Sequence, residues 1–457
     1  MSIFKACDIR GVFGEGITNH MTRRIALALG TKFAGSKVVV GGDNRLSTPE
    51  LKQSMIDGLV EAGVEVYDIG TVPTPVFYYA VKKLSAAGGV MVTASHNPAH
   101  YNGFKLSFGQ KPVTEEEVAE IGRLALRDIT PNPNALKGNS ILVSDIVKNY
   151  ITYMKDHAPK PKSRLKIVID AGNGIAGTIA PDLYRQMGYE VAELYCQSDG
   201  RFPNRSPNPS LPENLTDLCK MVKESNADFG IAFDGDGDRA AFADNNGFPL
   251  DNDKIIVLIA RDLLKERTGT IVYDAKCSMV VAKEIAASDG LPVMTRAGHT
   301  FSKAAFQREN ALFAGEISGH FFFRELGVDD AMFAGLKVGA LIADAGKNLS
   351  ALAATVPQYL LTPDIRVEYA KDDKEKLLEE TACRLKKYNL NRVDGVRIEF
   401  PDGWGMIRAS VTEPVFTLRF EAGSTERMKE IASILLNALP DDELKEKIAE
   451  KLLRFIL

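Results

Sequence analysis

What the 457-residue sequence lacks narrows its function first. Its five cysteines, Cys7, Cys196, Cys219, Cys277 and Cys383, are odd in number, widely scattered and form no C-x-x-C pair. That pattern excludes a disulfide framework and a structural zinc site, and the thiols read as reduced. Positive charge is not in excess either: the formal net charge is -4, the pI is near 6.0, and there is no basic run. A nucleic-acid backbone would meet no attractive field, so no nucleic-acid partner is expected. No uninterrupted apolar stretch is long enough to span a bilayer, and the opening MSIFKACDIRGVFG has no basic segment followed by a long apolar one. The expectation is a cytoplasmic protein with no membrane partner.

What is present is ordinary globular material, 45% hydrophobic and 25% charged, with apolar residues enough for several cores. At about 100 to 200 residues per domain, the length calls for three or four domains. Three segments begin alike: SKVVVGGDNR from Ser36, LKIVIDAGNGIAG from Leu165 and GTIVYDAKCS from Gly269. Each is a short β-branched run ending in a polar turn and leading into a stretch of helical character. In TPELKQSMIDGLVEAGVEVYDIG the apolar residues recur at helical spacing, Gly63 stops the helix and the next strand follows. IAPDLYRQMGYEVAELY and AKEIAASDGLPVMTRAG repeat the beat. Strands alternating with amphipathic helices point to mainly parallel sheets covered on both faces.

The end differs. A charged helical stretch, DDKEKLLEETACRLKKY, precedes three strand candidates, DGVRIEF, WGMIRAS and VFTLRFEA, and a final helical run from Ser424. Strands adjacent in sequence favour a small antiparallel unit. The fold class expected is therefore α/β: three similar α/β domains with mixed or mainly parallel sheets, at 1–145, 146–250 and 251–360, and a smaller C-terminal α+β domain at 361–457. PNPNALKGNS and HAPKPKSR supply linker material near the first boundary.

Chemistry concentrates in FGIAFDGDGDRAAF, where Asp234, Asp236 and Asp238 alternate with glycine and Arg239 follows. At the end of a strand, this spacing can curl three carboxylates around one point, and like charges so close call for a cation. Oxygen ligands suit Mg2+, which commonly leaves room for a substrate phosphate. An EF-hand is excluded: the sixth position from Asp234 is Arg239, not glycine, and the twelfth is Asn245, not glutamate. The bland reading is a solvated acidic turn, against which stands the apolar DFGIAF, placing the turn at a sheet end where ligands bind. Arg239 beside the ion suits a phosphoryl oxygen. Upstream, GGVMVTASHNPAHYNGFK sets Ser95 and His96 after an apolar strand, with Lys105 beyond the turn. A hydrolase elbow would read G-x-S-x-G, whereas Ala94 and His96 flank this serine, so phosphoryl chemistry is favoured over acyl transfer.

TASHNP, DGDGDR, GEISGH and RASVTEP, in this order, make the whole chain resemble the α-D-phosphohexomutases, most closely the bacterial phosphomannomutase/phosphoglucomutase branch. The resemblance implies three repeated α/β domains and a different fourth around a central active-site cleft. It implies that Ser95 is a phosphoserine, with one Mg2+ per active site bridging it to Asp234, Asp236 and Asp238. Arg10, His96, Lys105, Arg239 and His299 would surround the reacting group, with His96 an orienting neighbour and the general base unassigned. Arg408, Ser410 and Thr412 would hold the second phosphate. Glu316, Ser318 and His320 would read the sugar; Ile317 stands where the glucosamine enzymes typically carry glutamine, which favours mannose or glucose phosphates. A hexose 1,6-bisphosphate would be both intermediate and activator, and the partners would be hexose phosphates, with the protein a monomer or weak homodimer. Two positions depart from the family pattern: Cys7 in place of tyrosine in the N-terminal motif, and Val411 in place of asparagine or glycine in the phosphate loop. The competing readings are a phosphoglucosamine mutase, a Mg-dependent phosphatase using Asp234 as nucleophile and Asp236 as acid/base, and a non-catalytic sugar-phosphate sensor.

Overall fold

The computed structural model describes residues 3–6, 8–127, 137–371, 373–410 and 414–456. Cys7, Val411 and Thr412, singled out above, lie outside them.

The three β-branched openings form strands Lys37–Gly42, Lys166–Asp170 and Thr270–Asp274, each buried over almost its whole length. Such runs have apolar residues at successive positions because helices cover both faces of the sheet. Each opening strand lies centrally and pairs in parallel on both sides. Lys37–Gly42 pairs with Glu65–Thr71 and Gly88–Val92, Lys166–Asp170 with Glu190–Leu194 and Phe229–Phe233, and Thr270–Asp274 with Leu291–Thr295 and Phe313–Gly315. The chain then reverses in each sheet into one antiparallel strand: Tyr101–Phe108, Ala240–Asp244 and Phe321–Phe323. The three reversing connections, after Val92, Phe233 and Gly315, contain Ser95, the acidic triplet and Glu316–His320 respectively. One structural position, used three times, thus delivers three of the four motifs.

The fourth sheet is antiparallel throughout, built on Val396–Phe400, Gly403–Ala409 and Val415–Ala422. Short strands Leu360–Leu361, Ile365–Glu368 and Asn389–Asn391 complete it. One apolar cluster runs through the first three units, including Phe77, Tyr184, Phe313 and Phe333, while the last has its own around Phe416, Leu418, Ile431 and Leu435.

Two features differ from the sequence reading. Ser140, the end of the linker-like segment, begins strand Ser140–Leu142, which adds to the first sheet beside Glu65–Thr71. The helical run from Ser424 is two helices, Thr425–Ala438 and Asp442–Ile456. Leu439, before Pro440, is extended at φ -65 and ψ 136, because a following proline disfavours the helical region.

Candidate active site

The Ser95 loop is held from beneath by an ion pair with no solvent exposure. Asp43, at the end of the first central strand, accepts Nε–H of Arg45 at 3.1 Å and Oγ1–H of Thr93 at 2.7 Å. Thr93 Oγ1 in turn accepts the Ser95 amide at 2.9 Å. Arg45 donates from Nη2 to the carbonyls of Ser95 and Asn97, at 2.8 and 2.7 Å, and from Nη1 to those of Pro98 and Tyr101. These donors hold Ser95 in the left-handed region at φ +49, which a non-glycine residue adopts only when its surroundings enforce it.

The acidic turn meets this loop face to face. Ser95 Oγ donates to Asp234 Oδ2 at 2.7 Å, while Asp234 Oδ1 accepts amides of Gly237, Asp238 and Arg239. A Cβ at position 235 would lie 2.5 Å from the Ser95 carbonyl oxygen, so only glycine permits the approach. Asp234, Asp236 and Asp238 are fully buried, with ligand atoms that lie within 4.8 Å of one another. Lys105 Nζ donates to Asp236 at 2.6 Å and also to Asp238; Thr74 Oγ1 donates to Asp236 at 2.6 Å. Burial and the two neighbouring carboxylates push Asp234 up to about 7. Burial acts the same way on Asp236, but Lys105 and hydrogen bonds outweigh it and hold its pKa down. Asp236 Oδ1 and Asp238 Oδ1 remain buried without a hydrogen-bond partner among the described residues. Three buried carboxylates, two of them with an orphaned oxygen, against one lysine, form a donor set that a hard divalent cation completes.

His96 lies beside the serine, its Nδ1 3.4 Å from Ser95 Oγ. Burial, Arg239 and Arg10 drive its pKa well below the ordinary value, so the ring is neutral and unsuited to act as a general acid. Lys105 is the reverse case. Burial opposes its charge, but Asp236 and Asp238 more than compensate and keep it protonated. Arg10 Nη1 donates to Asn97 Oδ1 at 2.7 Å, and its Nη2 pairs with Asp8.

In the third loop, Asp274 Oδ2 accepts the Ile317 amide at 2.8 Å and Ser318 Oγ donates to Glu316 Oε2 at 2.7 Å. Glu316 Oε1 is a further buried oxygen without a partner among the described residues. Ala240 N donates to Gly319 O at 3.0 Å, joining this loop to the acidic turn. Asp329 bridges both histidines, 2.9 Å from His299 Nε2 and from His320 Nδ1, while Arg239 Nε donates to His320 Nε2 at 2.9 Å. Burial lowers the basicity of His320, but Asp238 and Asp329 prevail and raise its pKa.

All these loops open on one cleft of about 750 Å3. Arg10, Ser95, His96, Lys105, Arg239, His299, Glu316, Ser318 and His320 line it, and so do Arg408 and Ser410 of the fourth unit. Of the metal-ligand candidates, Ser95 is on the wall and the triplet lies behind it. Sequence reasoning missed the Asp43–Arg45 clamp, the Asp329 bridge and Lys276, which lines the cleft and pairs with Asp364 at 2.8 Å. A signal existed for two of them: GGDNR and YDAKCS both place a charged residue two positions after an aspartate at the end of a central strand or directly beyond it.

The chain matches four family models in succession. These are phosphoglucomutase/phosphomannomutase alpha/beta/alpha domains I, II and III, at residues 1–129, 148–247 and 251–359, and the C-terminal domain of the same proteins, at 365–438. It belongs to the phosphoglucomutase/phosphomannomutase family. A phosphomannomutase/phosphoglucomutase of Pseudomonas aeruginosa is 39% identical over 447 residues, 96% of this chain and 95% of the relative. A phosphoglucomutase of Neisseria gonorrhoeae is 37% identical over 439 residues, covering 94% and 95%. A crystal structure of a family member from Burkholderia thailandensis superposes with a TM-score of 0.88 at 34% identity, covering 95% of this chain and 96% of that one. Family membership accounts for the threefold use of one strand–loop–strand connection and for the dissimilar fourth unit.

Proposed function

We propose that the protein interconverts hexose 1-phosphates and hexose 6-phosphates, of mannose, glucose or both, through phosphorylated Ser95 and a bound hexose 1,6-bisphosphate. The observation that carries this reading is a single cleft with Ser95 Oγ against the acidic cluster on one wall and Arg408 with Ser410 on another. A substrate phosphate held by Arg408 leaves the hydroxyl at the other end of the sugar to meet the serine phosphate.

In the first half-reaction that hydroxyl oxygen bonds to phosphorus, the Ser95 Oγ–phosphorus bond breaks and the hydroxyl proton ends on Ser95 Oγ. Lys105 and Arg239 face the group in flight and offset its charge without reorganising. The 1,6-bisphosphate then turns within the cleft and its other phosphate returns to Ser95. A Mg2+ held by Asp234, Asp236, Asp238 and the serine phosphate would neutralise charge on the transferring oxygens. The orphaned carboxylate oxygens fit that role. Against a phosphatase, Asp234 accepts three backbone N–H hydrogen bonds on one oxygen and the Ser95 hydroxyl on the other, so it presents no open nucleophilic atom. Ile317 supports neutral hexose phosphates over glucosamine phosphate.

The test is 31P NMR with Mg2+, a trace of matching bisphosphate and mannose, glucose or glucosamine 1-phosphate in separate tubes. Expected are 6-phosphate signals from mannose or glucose, abolished by EDTA and by Ser95→Ala. Release of inorganic phosphate alone, or undiminished turnover by Ser95→Ala, overturns the reading.

A further inference from the structure

We propose that Asp394 is a positioning residue that aims the Arg408 guanidinium and ties the distal phosphate pocket to the loop carrying His299; this rests on the function proposed above. Asp394 sits in the turn between strands Asn389–Asn391 and Val396–Phe400, and its side chain is 4% exposed. Gly395 at φ +79 presses this turn onto the neighbouring strand: a Cβ there would lie 2.3 Å from the Ile407 oxygen and 2.8 Å from Arg408 Cα. Asp394 Oδ2 accepts Nε–H of Arg408 at 2.7 Å and the amide of Ala297 at 3.1 Å. Its Oδ1 lies 3.8 Å from Arg296 Nε, and Arg296 Nη1 reaches Glu115 of the first unit at 3.0 Å. Ala297 and Gly298 lead directly into helix His299–Arg308.

With Nε occupied, Arg408 keeps its Nη1 and Nη2 edge, which matches two oxygens of a phosphate at once. The same carboxylate oxygen fixes the backbone two residues before His299. A hexose phosphate is a short, stiff rod gripped by Arg408 at one end and reacting near His299 at the other, so its reactive geometry depends on the separation of these two groups. Asp394 sets that separation from both sides with one atom.

The experiment uses Asp394→Asn, which keeps the shape and one acceptor but loses the charge. In steady-state mutase assays we expect KM for hexose 1-phosphate to rise about tenfold, the loss of one charge-assisted orienting contact, and kcat to fall as well. Added to His299→Gln, the same change should raise KM as before but lower kcat no further. A KM unchanged in Asp394→Asn, or an additive loss of kcat in the double variant, overturns the proposal. If Asp394→Asn proves unstable, Arg408→Lys, which lacks the Nε–H, should itself raise KM about tenfold; a KM at the wild-type value overturns the proposal. Calorimetry of hexose 6-phosphate on Ser95→Ala protein separates this inference from the function. Affinity falling with Asp394→Asn supports the positioning role even where turnover is absent, and affinity unchanged overturns it.

Discussion

Arg45 illustrates how a residue that touches no substrate can decide whether a site exists. Its side chain is wholly buried, and it spends its donors on Asp43 and on four carbonyls of the Ser95 loop. Removing it leaves Asp43 as a buried charge without its partner and frees a serine held at φ +49. Arg45→Met should therefore cost about 3–5 kcal/mol of stability, read as a lower urea midpoint, and should depress kcat at temperatures where the protein is still folded. An unchanged midpoint would mean that the loop holds itself. Sequence revealed Ser95 and the three aspartates because their chemistry is written locally, in the spacing of carboxylates and in a serine beyond an apolar strand. GGDNR marked Arg45 as a charged residue just beyond a central strand, but its task was illegible, because the carbonyls it serves lie about fifty residues away and carry no residue-type signal.

At the scale of elements, the three β-branched openings were legible because a strand covered on both faces must be apolar at successive positions. Ser140–Leu142 was not, since its three residues are exposed and contribute only backbone pairing. Helix Ala331–Ala345 carries a different lesson. Its N-cap, Asp330, accepts the Phe333 amide at 2.9 Å and the Tyr150 hydroxyl at 2.7 Å, and burial pushes its carboxyl up to about 7. An unfolded aspartate titrates near 3.9, so between about pH 4 and 7 the folded protein holds the extra proton. This contribution to stability is full below pH 4 and is lost as pH rises to 7. Asparagine caps a helix equally well. Asp330→Asn should thus be more stable than the wild type at pH 8, by about 1–4 kcal/mol, and the gap should vanish near pH 4. Denaturant midpoints at the two pH values test this, and a variant weaker at pH 8 contradicts it.

Over the whole molecule, four units contribute walls to one cleft; Trp404 and Met406 pack on Ala275 and Met279 of the third unit, while the fourth also has a core of its own. A core of its own lets the last unit shift as a body, with the Trp404 cluster as the seam. Substrate bridging Ser95 and Arg408 should draw it inward and reduce the radius of gyration in small-angle X-ray scattering. Identical scattering with and without hexose phosphate would argue for a cleft already closed. The fourfold division was legible in the changing order of strands and helices, whereas the meeting of four distant motifs at one cleft came from resemblance and not from composition or periodicity.

The same reversal recurs in all three α/β sheets, one strand in from the edge. A position in space is surveyed by taking bearings from separate stations, and here three stations of the same build sight on one point: the first bears Ser95, the second the acidic triplet, the third Glu316 and His320. Because Gly319 and Ala240, and Gly235 and Ser95, touch through their main chains, none of the three bearings can drift without dragging another. Accuracy at the serine is therefore a property of the triangle, belonging to no single corner.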